Sequence, residues 1–171
     1  MRLPDKKSPA RTVAVTGILC ALAVGLQFLE GLLPGVPVPG AKWGLSNLAT
    51  MTALSLLGLP EALAVTLVKA GFAFLRGGMA GAMSLAGGLL STLVMWAATR
   101  FPRRISFIGA GLLGAMAHNA GQLGAALLLL SPALVWYAPW LALTALVSGG
   151  VTGLVMQTVF PRVRSVLEGK I

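Results

Sequence analysis

The strongest local signal in this sequence is a group of polar side chains inside an otherwise apolar segment: His118, Asn119 and Gln122. His118 and Gln122 are four residues apart, so they share one face of a helix, whereas Asn119 is offset by about 100° and can reach a neighbouring helix. An imidazole beside amides can bind the polar head of a ligand or exchange a proton. Interhelical hydrogen bonding is the structural alternative, and the pattern leaves both interpretations open.

Lys69 lies well inside the third apolar segment. Charged side chains are costly in a bilayer and must reach a partner, a water-filled cavity or the interface. Snorkelling or an ion pair with Glu30 would make Lys69 structural, and contact with a solute would make it part of a binding site.

Other polar residues lie where the apolar segments end. Glu30 follows Gln27 by about one turn, Lys42 and Asn47 flank the start of the second segment, and Arg76 ends the third. Each alone is typical of a solvated interface residue. Their convergence predicts a site in the outer half of the membrane, and its net positive charge favours a ligand with an anionic or electron-rich head.

The elements that position these residues follow from composition. Of 171 residues, 57% are hydrophobic and 10% are charged, against about 25% charged in soluble domains. Helices of about 20 residues suffice to cross a bilayer. We therefore predict an all-α membrane protein, a six-transmembrane-helix bundle. The predicted helices are 10–33, 44–57, 61–75, 79–99, 105–130 and 139–159.

Prolines separate the predicted elements. Pro34, Pro37 and Pro39 place a loop after the first helix, and Pro161 is expected to end the last one. The predicted organisation is a basic cytoplasmic N-terminus (1–11), a six-helix membrane domain (12–160) and a basic cytoplasmic tail (161–171).

Basic residues lie mostly on one side of this topology. The net charge of +9 could indicate nucleic acid, but clustering between apolar runs is typical of the positive-inside bias of membrane proteins. We expect a multi-pass protein with both termini in the cytoplasm and no nucleic-acid partner. The residues on the predicted cytoplasmic side are Arg2, Lys6, Lys7, Arg11, Arg100, Arg103, Arg104, Arg162, Arg164 and Lys170.

The inventory of reactive residues argues against catalysis. Residues 35–42 have glycines spaced as in a nucleotide-binding loop but lack Gly-Lys-Ser/Thr, so an ATP-driven step would need a separate ATPase. Asp5 is the only aspartate, and His118 and Cys20 are the only histidine and cysteine. We expect no enzyme activity, no metal site and no resident cofactor.

Small residues recur with helical spacing along the first helix, at Gly17, Ala21 and Gly25. Such a stripe normally allows close packing between helices. Packing within this chain is the default expectation, and docking of another membrane subunit is the alternative.

Several blocks of this sequence together resemble the Gx transporter family, often labelled heptaprenyl diphosphate synthase component I. The resemblance covers roughly residues 10–160, and the Pro-Gly-x-Lys and His-Asn-x-x-Gln-Leu blocks are its most specific parts. The blocks are Glu30-Gly31-Leu32-Leu33-Pro34, Pro39-Gly40-Ala41-Lys42-Trp43-Gly44-Leu45-Ser46-Asn47, Glu61-Ala62-Leu63, Ser84-Leu85-Ala86-Gly87-Gly88 and His118-Asn119-Ala120-Gly121-Gln122-Leu123.

The resemblance implies an architecture like that of the substrate-binding S components of energy-coupling factor (ECF) importers. Such subunits are six-helix bundles that bind a vitamin-like solute near the outer face and associate with a membrane coupling subunit and two ATPases. It implies a bacterial cytoplasmic membrane location, with Gly17, Ala21 and Gly25 as the docking stripe. The implied ligand-binding residues are Lys42, Lys69, Arg76, His118, Asn119 and Gln122, supported by Glu30 and Asn47.

Two other functions stay open at this point. Members of the family that this sequence resembles are associated with flavin- and quinone-dependent electron transfer. The predicted binding site could therefore hold a quinone, with His118 as its proton partner. The family label also allows a membrane partner of a prenyl diphosphate synthase, although this chain lacks the aspartates of such a synthase.

Overall fold

The computed structural model describes residues 8–32, 44–100 and 105–167, and in these residues the chain is helical, with short turns between elements. The prediction of an all-α protein is confirmed for this part of the chain. The helices are α1 (Pro9–Leu32), α2 (Asn47–Leu56), α3 (Leu59–Arg76), α4 (Gly78–Arg100), α5 (Phe107–Leu129) and α6 (Ala138–Leu167), with a 3₁₀ helix at Pro132–Tyr137 before α6.

Polarity is inverted relative to a soluble protein. Thr92 is fully buried and Gln122 is 1% exposed, whereas Leu75 and Leu128 are more than four-fifths exposed. Apolar side chains on the outside suit a hydrocarbon environment, and buried polar groups need partners inside the protein. This distribution is that of a membrane protein.

Four helical segments are long and apolar enough to cross a membrane: Pro9–Leu32, Gly78–Arg100, Phe107–Leu129 and Pro132–Val166. The helix α2 has ten residues and spans only about 15 Å. The helix α3 carries three charged residues, Glu61, Lys69 and Arg76, within 18 residues. These two helices therefore stand apart from the four apolar spans, and both contribute to the polar interior.

The short helix α2 lies at the centre of the arrangement. It packs against α1, α3, α4 and α6, while α3, α4, α5 and α6 pack in sequence against one another. We call the end of the bundle where α1 ends and α2 begins the Glu30 end. Because α2 begins inside the ring of longer helices, its first residues are surrounded by several elements.

Turn chemistry sets the helix boundaries close to their predicted positions. Gly58 and Gly77, with φ of +132° and +150°, flank α3 in conformations that side-chain-bearing residues rarely adopt. Glu61 lies in the first turn of α3, where a carboxylate suits the helix dipole. Ser106 begins α5 and accepts a hydrogen bond from the Gly109 amide at 3.2 Å.

The predicted end of the last helix at residue 159 is wrong. The helix α6 continues through Pro161 to Leu167, although proline removes one helical hydrogen bond. Packing on both sides of the proline stabilises the extension: the Phe160 ring lies tilted against the Phe107 ring with centroids 4.9 Å apart, and Val163 packs against the same apolar cluster.

Glycines allow α4, α5 and α6 to approach closely. An added Cβ at Gly121 would lie 2.7 Å from the Ala86 carbonyl oxygen of α4, and one at Gly149 would lie 2.7 Å from the Gly111 carbonyl oxygen of α5. Such contacts leave no space for a side chain. On α5, Gly121 therefore allows close packing against α4, whereas Gly124 has nothing within 4 Å.

Candidate functional site

The beginning of α2 is the point where three other helices meet. The Ser46 amide donates to Glu30 Oε1 of α1 at 3.1 Å, and Lys69 Nζ of α3 donates to Asn47 Oδ1 at 2.7 Å. Gly44 lies against Ser148 of α6. The fold therefore brings Glu30 and Lys69 together at two adjacent residues: Glu30 bonds Ser46 and Lys69 bonds Asn47.

These side chains are buried although they are polar or charged. Lys69 is 3% exposed, Glu30 is 9% exposed and Gln27, one turn before Glu30, is 2% exposed. Glu30 Oε2 and both polar atoms of the Gln27 amide are buried and have no hydrogen-bond partner among the residues that the structure describes. Buried polar atoms are normally paired with protein, water or ligand.

A second polar group lies between α4 and α5. A Cβ on Gly87 would lie 2.7 Å from Gln122 Cγ and 3.2 Å from His118 Cε1, so both side chains pack on α4 at this glycine. The next residue, Gly88, faces α3 instead of α5 and lies against Thr66. The paired glycines thus place α3 and α5 on two sides of α4 at the same level.

A hydroxyl pair fixes α3 to α4 near that level. Thr66 Oγ1 and Thr92 Oγ1 are 2.8 Å apart, and each also lies within hydrogen-bond distance of a carbonyl oxygen of its own helix. One hydroxyl donates to the other, which in turn donates to the carbonyl of its own helix. Lys69 follows Thr66 by about one turn, towards the Glu30 end. The threonine pair therefore links α3 to α4 one turn below Lys69.

Asn119 binds the neighbouring helix rather than facing the α2 start. Its side-chain nitrogen donates to the Leu141 carbonyl oxygen at 2.8 Å and to Thr144 Oγ1 at 3.3 Å, both in α6. These bonds match the interhelical interpretation of the His-Asn-Gln cluster, and they commit the two amide hydrogens of Asn119.

Arg76, one of the predicted cations, lies outside this buried group. Arg76 is exposed at the end of α3, with its guanidinium beside Gly31 near the end of α1. That position suits a cation, because helix C-termini carry partial negative charge. Lys42 lies outside the described residues.

The small-residue stripe of α1 is on the outside of the bundle. Gly17, Ala21 and Gly25 are all exposed, and an added Cβ on either glycine would meet no atom within 4 Å. The default expectation that these residues pack within the chain is therefore wrong for the described structure.

Several neutral polar residues are buried in the interior of the bundle besides the predicted site residues. Gln27, Ser46 and the pair Thr66 and Thr92 are all buried and were not among the proposed contacts. Their spacing in the sequence could have indicated this: Gln27 and Glu30, like Thr66 and Lys69, are three residues apart and share a helix face.

Among the described residues, no three His, Cys, Asp or Glu side chains are grouped closely enough to hold a metal ion.

The apolar exterior, the long apolar helices and the buried polar interior define a helical integral membrane protein. The chain belongs to the heptaprenyl diphosphate synthase component I family, or Gx transporter family, which it matches over residues 19–159. No curated protein and no solved structure matches it.

Proposed function

We propose that this protein is the substrate-binding membrane subunit, or S component, of an ECF-type importer. Its solute is a small vitamin-like compound or an isoprenoid or quinone precursor. The observation that carries the proposal is the buried polar group at the start of α2, where Glu30 and Lys69 bond adjacent residues and Gln27 is buried one turn before Glu30 on α1. Burying such groups is expensive, and a passive anchor would gain nothing from them.

The distribution of charge supports access from outside the cell. Arg100, Arg162 and Arg164 lie near the ends of α4 and α6, opposite the Glu30 end. Basic residues favour the cytoplasmic side, so the polar group lies in the outer half of the membrane. A solute arriving from outside reaches it without crossing the bilayer.

The exposed stripe on α1 supports a docking role. Gly17, Ala21 and Gly25 leave a shallow apolar surface with no neighbour in the described chain, and small residues allow a partner helix to approach closely. We assign this stripe to the membrane coupling subunit, which associates with two separate ATPases. In this proposal the chain is not itself an enzyme.

Purification from the native membrane in mild detergent tests the assembly. We expect a membrane coupling subunit and two ATPases to co-purify with the wild-type protein and to be lost from a Gly17→Leu/Gly25→Leu variant. The matched control is Gly71→Leu, since Gly71 of α3 is also exposed with no atom within 4 Å of an added Cβ.

Other co-purifying partners would redirect the assignment. A flavin-bearing protein or a bound quinone, without ATPases, would replace the importer by an electron-transfer role. A stable complex with a soluble prenyl diphosphate synthase and no small molecule would replace it by an anchoring role.

A further inference from the structure

The polar atoms left without partners at the start of α2 define what a solute must offer. On α1, Gln27 presents one donor, Nε2, and one acceptor, Oε1, and Glu30 presents the acceptor Oε2. Both residues are at least nine-tenths buried, and three positions of separation places them on the same helix face. We call Gln27 and Glu30 together the α1 polar edge.

The backbone amides of Ser46, Asn47 and Leu48 at the start of α2 are already bonded within the protein, and Lys69 already bonds Asn47. Helix N-termini bind anions through free amides and the helix dipole, but here the Ser46 amide already bonds the Glu30 carboxylate. The Asn47 and Leu48 amides bond the carbonyl oxygens of Gly44 and Leu45, each at 3.0 Å. The protein's own carboxylate therefore occupies the place of an anionic ligand.

We infer that the solute binds through a neutral head in which two N–H groups flank a carbonyl, as in a cyclic urea or a ureide, and that this head pairs with the α1 polar edge. This inference rests on the proposed function and names the class of its substrate. It replaces the anionic head predicted from the summed charge of the cationic residues.

The pairing follows from the inventory of donors and acceptors. A cyclic amide offers N–H to Gln27 Oε1 and C=O to Gln27 Nε2, the complement of a carboxamide. A second N–H donates to Glu30 Oε2, and such bonds to a charged acceptor are the stronger kind. A phosphate or carboxylate head would instead set its oxygens against those of Gln27 and Glu30.

Thermal unfolding of the purified full-length protein in detergent tests this pairing. The probes are lumazine, thymine and 2-imidazolidinone, which carry the N–H and C=O pattern. The matched probes are 1,3-dimethyllumazine, which keeps the carbonyls but lacks those N–H groups, and isopentenyl diphosphate, which is anionic. We expect at least one N–H probe to raise the Tm, and neither matched probe to do so.

Variants then locate the effect. Glu30→Gln keeps an oxygen for the Ser46 amide but turns the second oxygen into a donor, so it should weaken binding of the N–H probe about tenfold or more while the protein still folds. Gln27→Leu should weaken it similarly. The control is Thr16→Val on the same helix, because the Thr16 hydroxyl bonds only the Thr12 carbonyl of α1.

The outcomes separate this inference from the importer proposal. Any of three outcomes overturns the head-group assignment. The first is a Tm shift with an N–H probe that persists in both Glu30→Gln and Gln27→Leu. The others are a Tm shift with 1,3-dimethyllumazine or isopentenyl diphosphate, and the absence of a Tm shift with every N–H probe. A retained solute lacking N–H donors, together with co-purified ATPases, would overturn it while leaving the importer assignment intact.

Discussion

Single residues in this protein divide into those that hold helices together and those whose polar atoms face the start of α2. Asn119 belongs to the first kind, since it donates to the Leu141 carbonyl and the Thr144 hydroxyl. Gln27 and Glu30 belong to the second, since they retain unpartnered buried atoms in the described structure. Because Asn119 donates both amide hydrogens to α6 and Gln27 and Glu30 are not fully bonded among the described residues, substitutions at Asn119 should affect stability and substitutions at Gln27 and Glu30 should affect solute binding.

Replacing Asn119 should affect stability and leave solute binding unchanged. Asn119→Ala removes both bonds to α6 and should lower the free energy of unfolding by about 1 kcal/mol, the usual size of a polar contact between membrane helices. Thermal unfolding in detergent measures the loss. Thr144→Val also removes the Thr144 hydroxyl's own bond to the Leu141 carbonyl, but it should cost less because Asn119 keeps its shorter bond to that carbonyl. A loss of bound solute per folded Asn119→Ala molecule would return Asn119 to the binding site.

The sequence located the polar positions but not their partners. Lys69 lies inside an apolar segment of the sequence, and the structure buries its side chain. Its bond to Asn47 could not be predicted, because it depends on where the short helix α2 begins within the bundle. The sequence also shows Gln27 inside an apolar segment, but a neutral amide is a weaker indication of a binding site than a charged side chain.

At the scale of helices, close contact depends on particular glycines rather than on glycine content. Gly121 and Gly124 are three residues apart on α5, but only Gly121 lies against the α4 backbone. The sequence shows glycines along this helix, but it does not show which of them face a neighbour, because several faces of α5 carry small residues.

The two glycines give a matched pair of substitutions. Gly121→Ala should lower the free energy of unfolding by about 1–3 kcal/mol, because the new methyl group would overlap the Ala86 carbonyl. Gly124→Ala should be neutral or stabilise the protein by about 0.5–1 kcal/mol, because alanine favours the helix and the space is open. Unfolding midpoints in detergent give both values, and equal effects at the two positions would contradict the described α4–α5 contact.

The extension of α6 has a similar explanation. Proline is a strong local signal for the end of a helix, and it predicted a tail from residue 161. Contacts of Phe160 and Val163 with distant residues override that signal. Local sequence does not carry this information.

At the scale of the whole molecule, the protein is an apolar shell around a polar interior that lies towards one end. Composition predicted a membrane protein and charge clustering predicted its orientation. The central position of α2 was not predictable, because it follows from the packing of α1, α3, α4 and α6 around it.

Cysteine labelling tests the orientation. In a Cys20→Ala background, Ser131→Cys before the 3₁₀ helix should react with a membrane-impermeant maleimide added to intact cells. Ser165→Cys near the end of α6 should react only after the membrane is permeabilised. The reverse pattern would place the Glu30 end in the cytoplasm and contradict uptake from outside.

The most direct test of the binding site is mass spectrometry of small molecules extracted from gently purified protein. Wild type should yield one compound in stoichiometric amount. Lys69→Met, which removes the amine that bonds Asn47, should lose it, whereas Thr66→Val, one turn away, should retain it. Wild-type protein that carries no compound, or a Lys69→Met variant that retains the compound in full, would contradict the assignment of the buried polar group to solute binding.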